Sequence, residues 1–589
     1  MASLQQAVDL HRAGRLREAE RAYRNVLAAQ PRQPDALSLL GVVLEALGEP
    51  QQAVGYIRKA VALDPKAPLF RLHLGNALQA AGDVSNAAVE FRAAVRLQPQ
   101  LAEAQYNLGN ALRLLEDKTG AIAAYRACLA QAPQAHEAAV NLALLVSAQG
   151  GYDEAFALLE KVLTVQPQHL LARVTYANIA DEAQLYDISF REAQAAIQID
   201  PANPDALFAL ALAQSRQPNE AAACHTYRQL VTVKPDHYAA WDNLAQLEQA
   251  FALHAEAEQA YQRALALAPN DPTINYHCAL FDLLHGRLAQ GFAGYDWRFQ
   301  AVKKLKRIPH PTAPLWDGSD PRGKTILVVD EQGFGDSIMF CRYLPVLRGL
   351  GARVVYACRT PLQALLRGHW DGADEYVLLT EAVTTPCDAF AMMMDLPHLL
   401  RGMKGDADHF IPASVPYLPV PFGEVPASLT TATRLKVGVA WAGNRDHKHD
   451  FRRSIPFDVF AALFGVAGVQ FYNLLRPADL RGDEATRFAD LGIVDLGTQI
   501  TDFAATARCM AALDLVIAVD TSTVHLAGAL GKPVWVLLPL GPDWRWQTGR
   551  TDSPWYQTAR LYRQNSYSDW ATVLQQVRQD VAALATARG

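Results

Sequence analysis

PKAPLFRLHLGNALQAAGDVSNAAVEFRAAVRLQP, residues 65–99, is one proline-to-proline unit of a pattern that fills the first half of this 589-residue chain. Prolines stand at 31, 65, 99, 133, 167, 201, 235 and 269, a constant step of 34 residues. Small residues keep the same phase, at Gly41, Gly75 and Gly109 and then Ala143, Ala177, Ala211, Ala245 and Ala279. A second phase runs Tyr23, Ile57, Phe91, Tyr125, Leu159, Ala193, Tyr227, Tyr261 and Tyr295. It is mostly large, and Ala193 departs from it beside Asp187-Ile188-Ser189. Small residues let paired helices approach, and the large ones are expected to fill the space between neighbouring units. One helix pair cannot bury its apolar face alone, so stacked pairs must build a continuous core.

The 34-residue period with these residue types resembles the tetratricopeptide repeat (TPR) over about residues 1–300, as eight repeats and a partial ninth. The resemblance implies a superhelix that binds a polypeptide along its groove, with a spacer or dimerisation arm as the other reading. Asn76, Asn110 and Asn141 lie on first helices of their repeats. Inward-facing amides there would hydrogen-bond an extended peptide, while outward-facing ones would only meet water.

Composition sets the outer bounds. Half the residues are apolar, under a fifth are charged and the net charge is -6, as in an ordinary globular protein. No large basic excess marks a nucleic-acid binder; the run Lys303-Lys304-Leu305-Lys306-Arg307 reads as a solvated joint. Seven scattered cysteines form no CxxC pair, which fits reduced thiols. The amphipathic start lacks the apolar stretch of a secretion signal and no run reaches membrane-span length, so a cytoplasmic protein is expected.

From Asp317 the pattern changes to short β-rich runs alternating with helical stretches. Strands are predicted at Thr325–Asp330, Arg353–Cys358, Tyr376–Leu379 and Phe390–Met394, then at Lys436–Trp441, Val469–Leu474, Leu515–Val519 and Val534–Leu538. A proline-rich stretch, Ile411 to Thr433, separates the clusters. The expected fold class is therefore α plus α/β. A repeat domain (1–300) and a linker (301–316) precede two Rossmann-like lobes (317–425 and 426–589) with a cleft between them.

Gly318-Ser319-Asp320-Pro321-Arg322-Gly323-Lys324-Thr325 matches the phosphate-loop pattern letter for letter, but a strand follows it instead of preceding it, so it is rejected. Gly333-Phe334-Gly335-Asp336 has the right context, because a strand runs into it and a helix through Leu347 is predicted after it. The glycines permit close backbone approach. Asp336 reads either as a helix cap or as a general base aimed into the crevice at the strand ends.

In the second lobe a predicted strand ends in Asp520-Thr521-Ser522-Thr523-Val524-His525, a polar turn opening a small-residue helix. Free amides and hydroxyls there suit a diphosphate, although Asp520 and the hydroxyls would also serve as caps. Trp441-Ala442-Gly443-Asn444 ends another strand, and Arg452-Arg453-Ser454-Ile455-Pro456 offers cations to the same crevice. Pro542-Asp543-Trp544-Arg545-Trp546 follows a third strand end, where it would stack on a base, close over a sugar or simply pack.

With these residues in view, residues 317–570 resemble GT-B glycosyltransferases of the heptosyltransferase type. The resemblance implies metal-independent transfer from a nucleotide-activated sugar held mainly by the second lobe, with no cofactor. Asp336 matches the family's catalytic aspartate, and Arg453 a phosphate-binding lysine. Asp520, Thr521 and His525 match a donor motif in which Ser522 replaces a glycine. Gly333, Gly335, Trp441, Asn444, Thr523 and Arg545 complete the expected donor site, and no metal ligand is expected. The pairing with repeats resembles soluble protein O-glycosyltransferases, including TPR-bearing flagellin glycosyltransferases. It implies a protein acceptor on the repeats, flagellin being one candidate, and a homodimer through the repeats as a further possibility. A lipopolysaccharide or other glycan acceptor, or a non-catalytic sugar-nucleotide sensor on a scaffold, are the other readings.

Overall fold

A computed structural model describes residues 3–217, 219–307, 310–401, 411–412, 414–445 and 450–588. Two compact units result, Met1–Pro235 and Asp236–Gly589.

The first unit is a stack of helix pairs, such as Pro34–Ala46 with Pro50–Leu63, Pro68–Ala80 with Val84–Leu97, and Ala102–Leu114 with Lys118–Gln131. The periodic prolines fall in the turns between pairs, where a missing N–H costs nothing. The two sequence registers meet inside each pair and not between neighbouring pairs. A Cβ on Gly75 would lie 2.4 Å from the Phe91 ring, and one on Gly109 would lie 2.6 Å from Tyr125. Each large ring thus occupies the space that its glycine vacates. One buried core cluster runs from Ala7 to Ile179, and Ala177, Ala193 and Ala209 pack in another.

Asn107 donates to Asn76 Oδ1 at 2.9 Å and Asn141 to Asn110 Oδ1 at 3.1 Å, so these amides form pairs across adjacent repeats. Asn110 Oδ1 also accepts from Tyr125 Oη at 2.6 Å.

In the second unit, Tyr238–Ala250, His254–Leu267, Pro272–Leu284 and Leu288–Gly294 continue the helix pattern. The predicted repeat domain therefore crosses the boundary between units, and its last helices share a core with the α/β part: Leu283, Phe292 and Tyr295 pack in one cluster with residues of both sheets. The predicted linker 301–316 also differs from a free joint. Trp316 N donates to Phe390 O at 2.7 Å and Phe390 N to Pro314 O at 3.0 Å; Ile308 and Pro309 lie outside the described residues.

Ten parallel strands follow among the described residues. The first sheet has β1 (Thr325–Val329), β2 (Arg353–Cys358), β3 (Glu375–Leu378) and β4 (Ala389–Met392) in the order β3-β2-β1-β4. The second has β5 (Leu435–Ala440), β6 (Val469–Asn473), β7 (Ile493–Asp495), β8 (Leu515–Val519), β9 (Val534–Leu538) and β10 (Ala559–Arg563) in the order β10-β9-β8-β5-β6-β7. Counted from its own first strand, the second sheet has the doubly wound order 3-2-1-4-5-6, which reverses between β5 and β8. In the first sheet the reversal falls between β1 and β4. Ligands of such sheets bind outside the strand ends at these switch points.

Two strands escaped the sequence reading, three-residue β7 and edge strand β10. The helix expected through Leu347 is broken into Phe334–Phe340, a 3-10 turn Cys341–Tyr343 and Leu344–Gly349, because Pro345 lacks the N–H needed to continue. The rejected phosphate-loop match lies in turns leading into β1. The connecting stretch 411–433, of which Ala413 is outside the described residues, is pinned where Tyr417 N and Leu418 N donate to Ala529 O at 3.0 and 3.2 Å.

Candidate functional site

The loop after β1 is fixed from three sides. Arg298 is fully buried and grips Glu331 with Nε and Nη2 at 3.0 and 2.8 Å, while Nη2 also reaches Asp395 at 2.6 Å. Burial pushes the Glu331 and Asp395 carboxyls up, against the opposing pull of Arg298. Arg359 donates to Asp330 Oδ2, to the Gln332 carbonyl and to Ser337 Oγ, each at 2.8 Å. Gln332 adopts φ +61°, an uncommon conformation for a non-glycine, and its amide exchanges hydrogen bonds with Tyr295 Oη. So braced, the loop presents Asp336 in the first turn of helix Phe334–Phe340, where its Oδ2 accepts from Gly333 N at 2.9 Å. The capping expectation therefore holds for one oxygen. The other accepts from Arg545 Nη2, across from the second sheet.

Gly335 is where the two loops touch. A Cβ there would come within 2.7 Å of His525 Cδ2 and 3.5 Å of Ser522 Cα. Only glycine lets helix Phe334–Phe340 lie directly on helix Ser522–Ala529. Asp336 and the Thr521–Thr523 turn thus come from two switch points and share one place.

The tip of helix Ser522–Ala529 is uncapped by side chains: N-cap Thr521 makes no cap bond, and its hydroxyl donates to Val519 O at 3.3 Å. Thr521, Ser522 and Thr523 are all partly exposed. Arg453 Nη1 donates to the Asp520 carbonyl at 3.0 Å, which puts its charge at the end of β8. Its Nε is held by Asp450 Oδ1 at 3.1 Å, and Asp450 also accepts from Ser454 and Arg481, both at 2.7 Å. Gly443 makes room for this cluster, since a Cβ would sit 2.7 Å from Arg453 Nη2. Asn444 is exposed in the same loop, and residues 446–449 beyond it lie outside the described residues.

Arg545 is 9% exposed, lies over the Trp544 ring with its guanidinium carbon 4.3 Å from the centroid, and donates from Nη1 to Asp543 Oδ1 at 2.7 Å. Burial opposes its charge, but Asp336 and Asp543 outweigh that and hold it protonated.

Three of the aromatic side chains singled out by the sequence lie buried. Trp441 is fully buried among Phe457, Phe460 and Phe488, because the strand-end alternation turns it into the core. His525 is 4% exposed, stacks on Trp546 at 5.5 Å and shares a 2.9 Å hydrogen bond between Nδ1 and Tyr556 Oη. Burial, then Arg545 and Arg342, push its pKa well down, so the ring is neutral beneath the helix tip. Trp544 packs against Phe292, Tyr295 and Trp555 and presents no face to a base. Asp450, Asp543 and the Arg298 cluster were missed; Asp450 had a signal, its spacing three residues before Arg453 on one helical turn.

Asp520 is pushed up to about 6 by burial, then by Asp543, against Arg453 and Arg545. A carboxyl that ionises at 3.8 when unfolded and near 6 when folded holds its proton tighter in the native state, so its contribution falls as pH rises through that window. Asp520→Asn should remove this term. Its Tm relative to the parent is expected to rise between pH 4 and pH 7 in paired thermal melts.

Among the described residues, no group of three or more His, Cys, Asp or Glu is placed to hold a metal ion, and no helix is long and apolar enough to cross a membrane.

Family models described as tetratricopeptide repeat match residues 4–68, 72–136 and 137–169. Protein FlbA of Caulobacter vibrioides (strain ATCC 19089 / CIP 103742 / CB 15) is 27% identical over 351 residues, which cover 55% of this chain and 58% of FlbA. The match thus spans less than two thirds of that relative's length. Among solved structures, MamA is 26% identical with a TM-score of 0.26, over 28% of this chain and 95% of MamA. A tetratricopeptide repeat protein from Parabacteroides merdae ATCC 43184 is 18% identical with a TM-score of 0.36, over 42% of this chain and 98% of its own. This chain contains tetratricopeptide repeats.

Proposed function

We propose that the chain is a glycosyltransferase that moves a sugar from a nucleotide-activated donor to a Ser or Thr hydroxyl of a protein held by the repeats. One observation carries the reading: the Asp336 loop and the uncapped Thr521–Thr523 turn, each at the switch point of its own sheet, are brought into contact at Gly335 and linked by Arg545. Such a junction offers a carboxylate on one side and anion-binding groups on the other.

In the proposed reaction Asp336 takes the proton of the acceptor hydroxyl while that oxygen bonds to the anomeric carbon. The bond from that carbon to the donor phosphate breaks, and its electron pair leaves with the nucleoside diphosphate. Arg453, the helix-tip amides and the Thr521–Thr523 hydroxyls stabilise the departing charge. The repeats raise the effective concentration of the acceptor, and their paired asparagines suit an extended backbone. The scheme uses no metal ion.

Flagellin is the first acceptor to try, on the resemblance described above. Co-expression with it, followed by intact-mass measurement, tests the reading. A mass increment of one or more sugars, lost in Asp336→Asn, is expected. Unmodified acceptor, with no donor consumed from a panel of nucleotide sugars, would count against it.

A further inference from the structure

The contact between Arg545 and Asp336 has an awkward consequence for a base. Asp336 spends one oxygen on Gly333 N and the other on a guanidinium that also serves Asp543. Both of its oxygens are thus engaged before an acceptor hydroxyl arrives. Among the described residues at this place, four carboxylates (Asp336, Asp450, Asp520, Asp543) neighbour two guanidiniums (Arg453, Arg545). A diphosphate entering this cluster finds both cations committed, Arg453 to Asp450 and a carbonyl, Arg545 to two acids.

Arg545 is the cation built to change partners. Its plane is set by Trp544, and its Nε is buried without a hydrogen-bond partner, leaving a donor in reserve. Guanidinium forks bind phosphate oxygens in bidentate fashion at least as well as carboxylates. Gln547, two residues on, sits at φ +50° and is held by Arg550 Nη1 at 2.8 Å. Gln332 occupies the same uncommon region on the Asp336 side. Both flanks of the contact are therefore held in conformations that only surrounding bonds sustain.

We infer that Arg545 couples donor binding to activation of the base: the donor's diphosphate takes the guanidinium away from Asp336, and the freed carboxylate then accepts the acceptor's proton. This rests on the transferase reading. It makes the unliganded protein self-masked and orders the substrates, donor before acceptor. It also changes what Asp336 does to donor affinity, since the carboxylate competes with phosphate for one cation.

The test is a double-mutant cycle in the full chain, with UDP, CDP, GDP and ADP as probes and calorimetry as the readout. Asp336→Asn keeps an oxygen for Gly333 N but gives up the charge, so the tightest-binding diphosphate should bind about 10-fold more tightly, as expected for about 1.4 kcal/mol of released competition. In an Arg545→Gln background the same change should have less than about 2-fold effect. Arg545→Lys, which keeps a cation, should retain most of the Asp336→Asn gain, and Arg545→Met, which also removes the charge, serves in the cycle if Arg545→Gln does not fold. A gain that persists in full without the cation would mean simple repulsion between Asp336 and phosphate and would overturn the coupling. So would Asp336→Asn binding no more tightly than the parent. If the parent itself binds none of the four diphosphates, the donor reading fails first and the coupling with it.

Discussion

Asp336→Asn is expected to lower turnover by about 10²–10⁴-fold at saturating donor, the usual worth of a positioned general base. The asparagine still caps helix Phe334–Phe340 through Gly333 N, so the loop should keep its place. A residue serving only to clasp the two sheets would behave differently, losing thermal stability in step with activity. Initial rates and melting curves on the same preparation separate the cases: large loss of rate at nearly constant Tm marks the base, and parallel losses mark the clasp.

Arg298→Ala should be among the most damaging substitutions to folding. The guanidinium is fully buried and balances two carboxylates, Glu331 and Asp395, that burial already pushes toward protonation. Removing one partner of a buried ion pair costs about 3–5 kcal/mol, chiefly because a charge is left without its counter-charge. Neither Glu331 nor Asp395 can reach water easily, so both must take up protons. The loss should therefore be smaller at pH 5 than at pH 8, and denaturant titrations at both values check the sign. Equal losses at the two pH values would mean that the packing of Arg298 over the Phe299 ring, at 4.0 Å, matters more than its charge.

What the amino-acid sequence disclosed depends on whether a position repeats. The proline step and the glycine and aromatic registers announce themselves because the same packing problem is solved every 34 residues. A third register went unseen. The turn within each repeat needs a left-handed residue, and φ is positive at Gly48, Gly82, Glu116, Gly150, Gln184 and Ala252. Backbone geometry repeats there while composition does not. In the α/β part, strands with buried faces were legible as apolar runs, but β7 is too short and β10 mixes Arg560 and Arg563 into an edge.

The loops of the candidate site stood out because glycines and acids directly follow apolar runs there, but capping accounts for the same residues, as Asp336 on Gly333 N shows. Trp441 misled because its large ring at a strand end is equally suited to ligand or core, and only the fold shows which way it points. Long-range partners were invisible. Nothing local to Arg545 reveals that it meets a carboxylate 209 residues earlier, and nothing local to Arg298 marks it as the brace of the Asp336 loop.

The claim on which the rest depends is that one activated-sugar ligand touches both strand-end loops at once. Hydrogen exchange read by mass spectrometry, on the full chain with and without a saturating nucleotide sugar, addresses it directly. Slowed exchange is predicted together in peptides covering 331–337 and 519–526, with little change along the repeats. Protection confined to one loop, or to neither, would contradict the account.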